Sequence, residues 1–158
     1  MIIQVIGAFL GIISVSVIYG VDRKFFKDCG LCGAIGWLIN LAIGHYIDDH
    51  ALCVFWATLV VAWLAHLFAR IRKAPVTLFL IPGILPLVPG LGMYRSIFNL
   101  IMVSNEMAGH YLLETLKTAG CIALAIFLID TIFRMINHRW YRKWYIKITK
   151  NEKRDANG

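Results

Sequence analysis

The residues with the clearest chemical potential lie in the segment Pro75–Asn99, which reads PVTLFLIPGILPLVPGLGMYRSIFN. Three prolines and three glycines fall within residues 82–92, among otherwise apolar side chains. Each proline lacks a backbone N–H and opposes a continuous helix, and glycine allows dihedral angles that a helix does not use. The segment therefore predicts an apolar helix that is broken in its middle.

A broken helix inside a membrane span can bind ligands, because the N-terminus of its second half can face an anion and its freed carbonyl groups can hold a cation. Irregular backbone at membrane depth is tolerated where it is buried in protein or lines a watery cavity. We expect the motif to line a substrate pathway. The alternative is a proline kink that serves packing alone.

Arg95 follows the motif within the same apolar segment. An arginine at mid-membrane costs about 2.5–3.5 kcal/mol even on lenient insertion scales, so we expect a compensating group. A substrate carboxylate could form a bidentate pair with the guanidinium, Asp130 could pair with it, or the side chain could reach the outer headgroups. The predicted substrate-binding residues are Pro82, Gly83, Pro86, Pro89, Gly90, Tyr94, Arg95 and Asn99.

Asp130 is a second charged residue within an apolar segment. It could pair with Arg134 one turn later, as an ordinary i, i+4 couple. Otherwise it is a candidate carboxylate for coupling transport to protons or another cation. Asn40 and His66 are weaker polar candidates, each better explained by an interhelical hydrogen bond.

No strong metal or catalytic motif accompanies these residues. Cys29 and Cys32 have the spacing of a redox or zinc pair, but a zinc site needs about four ligands and the sequence has no second pair. Residues 45–50 hold two histidines and two aspartates without a recognised metal-binding spacing. The sequence also lacks a nucleotide-binding glycine loop, a plausible catalytic triad and an HExxH pair, so we expect neither an enzyme nor a cofactor.

The elements that must position these residues are long and apolar. Of the 158 residues, 59% are hydrophobic and 16% are charged, with a mean hydropathy of +0.71, whereas a soluble domain has about 45–50% apolar and about 25% charged residues. We therefore predict an all-α integral membrane domain over residues 1–137, with five transmembrane helices, the fourth broken by the PGxxPLVPG motif. The predicted spans cover residues 2–21, 29–47, 51–69, 76–103 and 118–137. The first lacks a basic n-region and a clear cleavage site, so we expect a retained helix rather than a signal peptide.

The loops between these spans alternate in charge. The first and third loops each carry three Lys or Arg residues, the second carries none, and the fourth carries only Lys117. By the positive-inside rule, the first and third loops and the C-terminus face the cytoplasm. The N-terminus is then expected outside.

Residues 138–158 form a basic, aromatic tail. Half of the 16 Lys and Arg residues lie from Arg134 onward, so the net charge of +7 is concentrated there and does not indicate a nucleic-acid groove. Basic and aromatic side chains favour the headgroup region, and each basic residue near an anionic surface contributes about 1 kcal/mol. We expect a cytoplasmic anchor on anionic lipid, with a partner-binding tail as the alternative.

Small residues recur at helical spacing on two predicted spans. Gly7 and Gly11 form a GxxxG pair, and residues 32–44 carry a small or polar side chain at every fourth position. Such faces allow helices to approach closely in lipid. The pattern predicts a compact bundle or an oligomer.

The run Pro82–Tyr94, PGILPLVPGLGMY, resembles the signature of the threonine/serine exporter family. It is most similar to the family's small membrane subunit, the YjjB-like protein, which corresponds to the C-terminal half of the fused exporter ThrE. The length and the five-span layout match as well, so the resemblance extends over essentially the whole chain. The family motif falls on Pro82, Gly83, Pro86, Pro89 and Gly90. Arg95 and Asp130 are candidates on physical grounds alone.

The resemblance implies a subunit of a secondary exporter for small carboxylated metabolites in a bacterial cytoplasmic membrane. Threonine and serine are associated with the fused form and succinate with the two-subunit form. A larger YjjP-like membrane subunit would supply the other half, and five spans with one broken helix are typical of half of a repeat-built transporter. A non-transporting accessory protein and a homo-oligomeric channel stay open as alternatives.

Overall fold

The structure is a computed structural model that describes the backbone of residues 2–102 and 105–155 and the side chains of residues 2–102 and 106–136. Within these ranges, every regular element is helical. The helices are α1 (Ile2–Ile18), α2 (Phe26–Ile43), α3 (His50–Arg72), α4 (Thr77–Ile84), α5 (Gly90–Met102) and α6 (Asn105–Asp155), with short 3₁₀ turns at Arg23–Phe25 and Leu85–Leu87.

Several of these helices can cross a membrane. The segments Arg23–Ile43, His50–Arg72 and Glu106–Ile136 are each long and apolar enough, and α4 and α5 qualify together as a pair bent by 52°. The prediction of an all-helical protein with several membrane spans is therefore confirmed, with three to four candidate spans in the described residues. α1 is apolar but has 17 residues, so the fifth span, like the orientation of the termini, stays a prediction.

Helix boundaries differ from the predicted spans where charged residues find partners. α2 begins at Phe26 rather than Cys29, because Asp28 in its first turn is buried and accepts hydrogen bonds of 2.8 and 3.1 Å from Arg72. α6 runs without a break through residues 105–117, which the sequence separates from the last span. The side chains of the predicted lipid anchor, residues 138–158, lie outside the described residues.

α2 and α3 occupy the centre of the bundle. α2 contacts α1, α3 and α4, α3 also contacts α4 and α6, and α5 packs on α6. A Cβ atom at Gly36 of α2 would collide with Cγ2 of Val61 on α3, and one at Gly33 would lie 2.5 Å from Cδ1 of Ile12 on α1. Gly36 belongs to the small-residue face predicted on α2, so this face is used for close helix packing at that position. A Cβ at Gly7 or Gly11 of α1 would meet no atom within 4 Å, so the predicted GxxxG pair is not used for packing within the described residues.

Ion pairs connect the loops at the two ends of the bundle. Asp28 and Arg72 join the start of α2 to the end of α3. At the opposite end, Nζ of Lys117 on α6 lies 2.7 Å from Oδ2 of Asp49, which precedes α3. The first and third loops therefore share one end, and the second loop shares the other end with Lys117. This arrangement agrees with the alternation of loop charge.

Candidate functional site

A cavity of about 400 Å³ lies where the break between α4 and α5 faces α2, α3 and α6. We call it the motif cavity. Its wall combines the proline-glycine motif with aromatic, hydroxyl and charged side chains. The lining residues are Trp37, Asn40, His50, Val54, all seven residues of 86–92, Arg95, Tyr111, Glu114, Thr115 and Thr118.

The prolines explain why the backbone breaks at this point. Val88 has an extended conformation, with φ −64° and ψ 131°, as expected for a residue that precedes proline. α5 then starts at Gly90. The first N–H groups of a helix have no acceptor within the helix, so Leu91 and Gly92 present backbone donors beside the cavity that they line.

Pro82 has a different role from the other prolines of the motif. It lies inside α4, where its missing N–H leaves the carbonyl of Leu78 without the usual i+4 donor. The thiol of Cys29 on α2 donates to that carbonyl at 3.5 Å. Cys29 and Cys32 are buried free thiols, and Cys29 is accounted for by this packing role.

The structure brings together four of the predicted substrate-binding residues. Pro86, Pro89, Gly90 and Arg95 line the motif cavity. Pro82 is fully buried, and a Cβ at Gly83 would lie 3.0 Å from Val61 and 3.2 Å from Cys32. These two residues pack α4 against α2 and α3.

Tyr94 and Asn99 are also not among the residues that line the cavity. The Tyr94 ring is exposed and stacks on Phe98 with a centroid distance of 6.0 Å. The amide of Asn99 donates to the carbonyl of Arg95 at 2.7 Å.

Arg95 is the cationic group of the motif cavity. Its guanidinium lies 5.8 Å from the ring centroid of Tyr111 on α6, within the range of a cation–π contact. Among the residues whose side chains are described, no carboxylate forms an ion pair with it. Asp130, one of the partners considered from the sequence, pairs with Arg134 instead.

α6 supplies polar groups that the sequence analysis did not select. The Thr115 hydroxyl donates to the Tyr111 carbonyl at 2.7 Å, and the Thr118 hydroxyl donates to the Glu114 carbonyl at 2.9 Å. Gly92 allows α5 to approach, because a Cβ there would lie 2.5 Å from Oγ1 of Thr115. The signal in the sequence was the i, i+4, i+7 spacing of Tyr111, Thr115 and Thr118.

Two neighbouring cavities extend towards the loop between α2 and α3. One, the loop cavity, has about 470 Å³ and shares Asn40 and His50 with the motif cavity. The other has about 240 Å³ and lies beside the Asp49–Lys117 ion pair. The hydrogen bond from Lys117 lowers the pKa of the Asp49 carboxyl, so the Asp49–Lys117 ion pair persists until the pH falls through the lowered pKa.

A second polar cluster lies nearer the other end of α6. Asp130 Oδ2 is 2.9 Å from Nε of Arg134, and Asp130 Oδ1 is 3.5 Å from Nε2 of His66 on α3. Nδ1 of His66 lies 2.9 Å from the carbonyl of Ala62, and the imidazole stacks on Phe133 at 4.4 Å. The i, i+4 pairing considered from the sequence is therefore present, with a buried histidine added to it.

A sequence model of the family described as Threonine/Serine exporter, ThrE matches residues 4–132, which include the whole motif cavity. The chain belongs to the threonine/serine exporter family. This confirms the resemblance read from the proline-glycine motif. The family is one of exporters, a class of transport protein and not of enzyme.

Two relatives show how much of a longer protein this chain represents. A probable threonine/serine exporter of Mycobacterium tuberculosis is 25% identical over 124 residues, which is 78% of this chain and 23% of that protein. An uncharacterized protein of Haemophilus influenzae is 24% identical over 91 residues, 57% of this chain and 30% of its own length. The chain thus spans less than a third of either relative. No solved structure matches it.

Substitution of the two glycines at the start of α5 should show which of them is needed for close packing of α5 on α6. Gly92→Leu should destabilise the protein by about 1–3 kcal/mol, because overpacking pushes α5 away from Thr115. Gly90→Leu should change stability by less than about 0.5 kcal/mol, as for an ordinary surface position, because an ideal Cβ there meets no atom within 4 Å.

Thermal unfolding in detergent micelles measures both variants, with Gly120→Leu as the control, since Gly120 on α6 also has open space around its Cβ position. Equal melting temperatures for the Gly90 and Gly92 variants would contradict the close contact between α5 and α6.

Proposed function

We propose that this chain is one membrane half of a secondary exporter that moves small hydroxylated amino acids, threonine and serine, out of a bacterial cell. It would cross the cytoplasmic membrane five times, with the N-terminus outside and the basic tail inside. Family membership and the name of the mycobacterial relative support the substrate class. The observation that carries the proposal is Arg95, which lies beside the start of α5 in the motif cavity and has no ion-pair partner among the described side chains.

A carboxylate is the group that this end of the cavity would bind best. Arg95 supplies a guanidinium, which pairs with carboxylates in a bidentate geometry. Leu91 and Gly92 add backbone donors at the positive end of the α5 dipole.

The other charge of the cavity favours a zwitterion over a dicarboxylate. Glu114 lines the same cavity as Arg95, and its carboxylate, 3.7 Å from Nε2 of His110, is the acidic group there that could attract an ammonium group. A second carboxylate, as in succinate, would meet a like charge there, and like-charge contacts are an effective means of rejecting a wrong ligand. Succinate is therefore the less favoured substrate.

The remaining half of the transport machinery would come from a second polypeptide. The chain aligns with 23% of the mycobacterial exporter, which leaves room there for a larger membrane portion. In this chain, most side chains of α5 are exposed. Only 11% of the apolar stretch within Glu106–Ile136 of α6 is buried. A larger YjjP-like subunit, or a second copy of this chain, would cover part of this surface.

Asp130 is the proposed coupling group. Its carboxylate lies between the buried imidazole of His66 and the guanidinium of Arg134. Arg70 is close by, at 5.0 Å from the Phe133 ring that stacks on His66. Intramembrane carboxylate and histidine groups of this kind serve as proton relays in transporters. Proton movement through this cluster would drive export.

Uptake into inverted membrane vesicles tests the proposal, with this chain alone, the larger subunit alone and both together. Labelled threonine and serine should accumulate with both chains, and succinate should not. Uptake by this chain alone would instead indicate a homo-oligomeric pathway. Equal uptake by the larger subunit alone would indicate an accessory role for this chain.

Arg95→Gln should raise the KM for threonine by about 10–100-fold, because charge-assisted hydrogen bonds contribute about 1.5–3 kcal/mol. Arg23→Gln, a change in the first loop outside the cavity, should leave the KM unaltered. Initial rates of uptake in the same vesicles give both values. An unchanged KM in Arg95→Gln would contradict the assignment of the carboxylate site.

Asp130→Asn should abolish uptake driven by a proton gradient but preserve exchange of labelled for unlabelled threonine, since exchange needs no net proton movement. Asp22→Asn is the matched control, because Asp22 is exposed and pairs with Lys24 at 3.0 Å. Gradient-driven uptake that survives in Asp130→Asn would remove Asp130 from the coupling step.

A further inference from the structure

Asn40 is the buried polar side chain for which the fold provides no partner. It lies in the last turn of α2 and is 8% exposed. Its Oδ1 atom is buried, and no donor in the described part of the chain reaches it. Buried amide groups in proteins are nearly always hydrogen-bonded, because an unmade bond is unfavourable once water is excluded. An unpaired oxygen here therefore indicates a position at which a ligand can donate.

The place of Asn40 in the bundle gives such a ligand access. The motif cavity and the loop cavity share Asn40 and His50 in their linings. A molecule bound in the motif cavity would pass these two side chains on its way towards the α2–α3 loop. Asn40 thus contributes to the lining of both cavities along the proposed pathway.

The chemistry of the cavity indicates which part of the substrate reaches Asn40. In the proposed function, on which this inference rests, Arg95 takes the carboxylate and Glu114 takes the ammonium group. The remaining polar group of threonine or serine is the side-chain hydroxyl. We propose that Asn40 determines specificity by accepting a hydrogen bond from this hydroxyl.

A neutral amide suits this task better than a charged group would. It gives selectivity without adding a third charge to a cavity that already holds a guanidinium and a carboxylate. A substrate that lacks the hydroxyl would leave the buried oxygen unpaired, and sites of this design reject such analogues more strongly than apolar pockets reject a size change. L-2-aminobutyrate, which is threonine without its hydroxyl, is the analogue that isolates this contact.

Competition in the inverted vesicles with both subunits tests the assignment. Unlabelled L-threonine and L-2-aminobutyrate compete with labelled L-threonine, and the ratio of their inhibition constants is compared between variants. The wild-type protein should prefer threonine by about tenfold or more, as expected for one hydrogen bond to a buried acceptor. Asn40→Leu, of similar size but without the acceptor, should bring the ratio towards one by weakening threonine alone.

Two further variants make the result specific to the amide. Asn40→Gln keeps a neutral amide acceptor, one methylene further from the backbone, and should keep more of the preference than Asn40→Leu does. Thr58→Val is the matched control, because the buried Thr58 hydroxyl on α3 donates to the carbonyl of Val54 at 2.7 Å and lies outside the cavity lining. If Asn40→Leu does not reach the membrane, Asn40→Ala removes the amide without adding volume and carries the same expectation.

The outcomes separate this inference from the proposed function. Threonine uptake with no preference over 2-aminobutyrate in the wild type, or an unchanged preference in Asn40→Leu, would overturn the role of Asn40 and leave the exporter proposal intact. No uptake of labelled threonine by the wild-type pair would overturn both.

Discussion

The structure depends on one constraint, which is that backbone groups released by proline find no water to bind inside a lipid bilayer. The protein meets this constraint differently in the two halves of its motif. At Pro82 the freed carbonyl of Leu78 accepts a thiol hydrogen bond from Cys29, and Gly83 packs closely on α3. From Pro86 onward the irregular backbone lines a cavity, with Leu87 anchored among Val54 and Val61 of α3. The first half of the motif is therefore structural and the second half forms the candidate site.

The rest of the bundle holds this break in place. α2 and α3 pack closely at Gly36, and α4 packs against both of them. Ion pairs at the two ends join the elements: Asp28–Arg72 connects the start of α2 to the end of α3, and Asp49–Lys117 connects the start of α3 to α6. α6 then supplies the hydroxyl and carboxylate groups opposite the motif. The cavity is thus shared by four parts of the chain that are distant in sequence.

The sequence predicts the helical membrane class, the family and the broken segment, because hydropathy and proline-glycine content are local properties. It also selects Arg95, whose charge stands out in an apolar run. It could not separate Pro82 and Gly83 from Pro86 and Gly90, because the two groups differ in the neighbours that α2 and α3 provide. Thr115 and Thr118 escaped selection because Ser and Thr hydroxyl groups on a helix ordinarily bond to their own backbone, as both do here. The buried, unpaired state of Asn40 is a property of the packed bundle alone.

The central claim is that the motif cavity binds the transported amino acid, and protection of a thiol within it tests this most directly. Leu91→Cys would be placed in a background that lacks the four native cysteines, and its labelling rate by a small thiol reagent measured with and without L-threonine in vesicles that contain both subunits. Leu91 is 63% exposed and lines the cavity, whereas Leu113 is 69% exposed and does not, so Leu113→Cys is the control. The account predicts that L-threonine slows labelling at Leu91→Cys in a saturable manner and leaves Leu113→Cys unaffected. Equal labelling of Leu91→Cys with and without threonine, in vesicles that transport threonine, would contradict it.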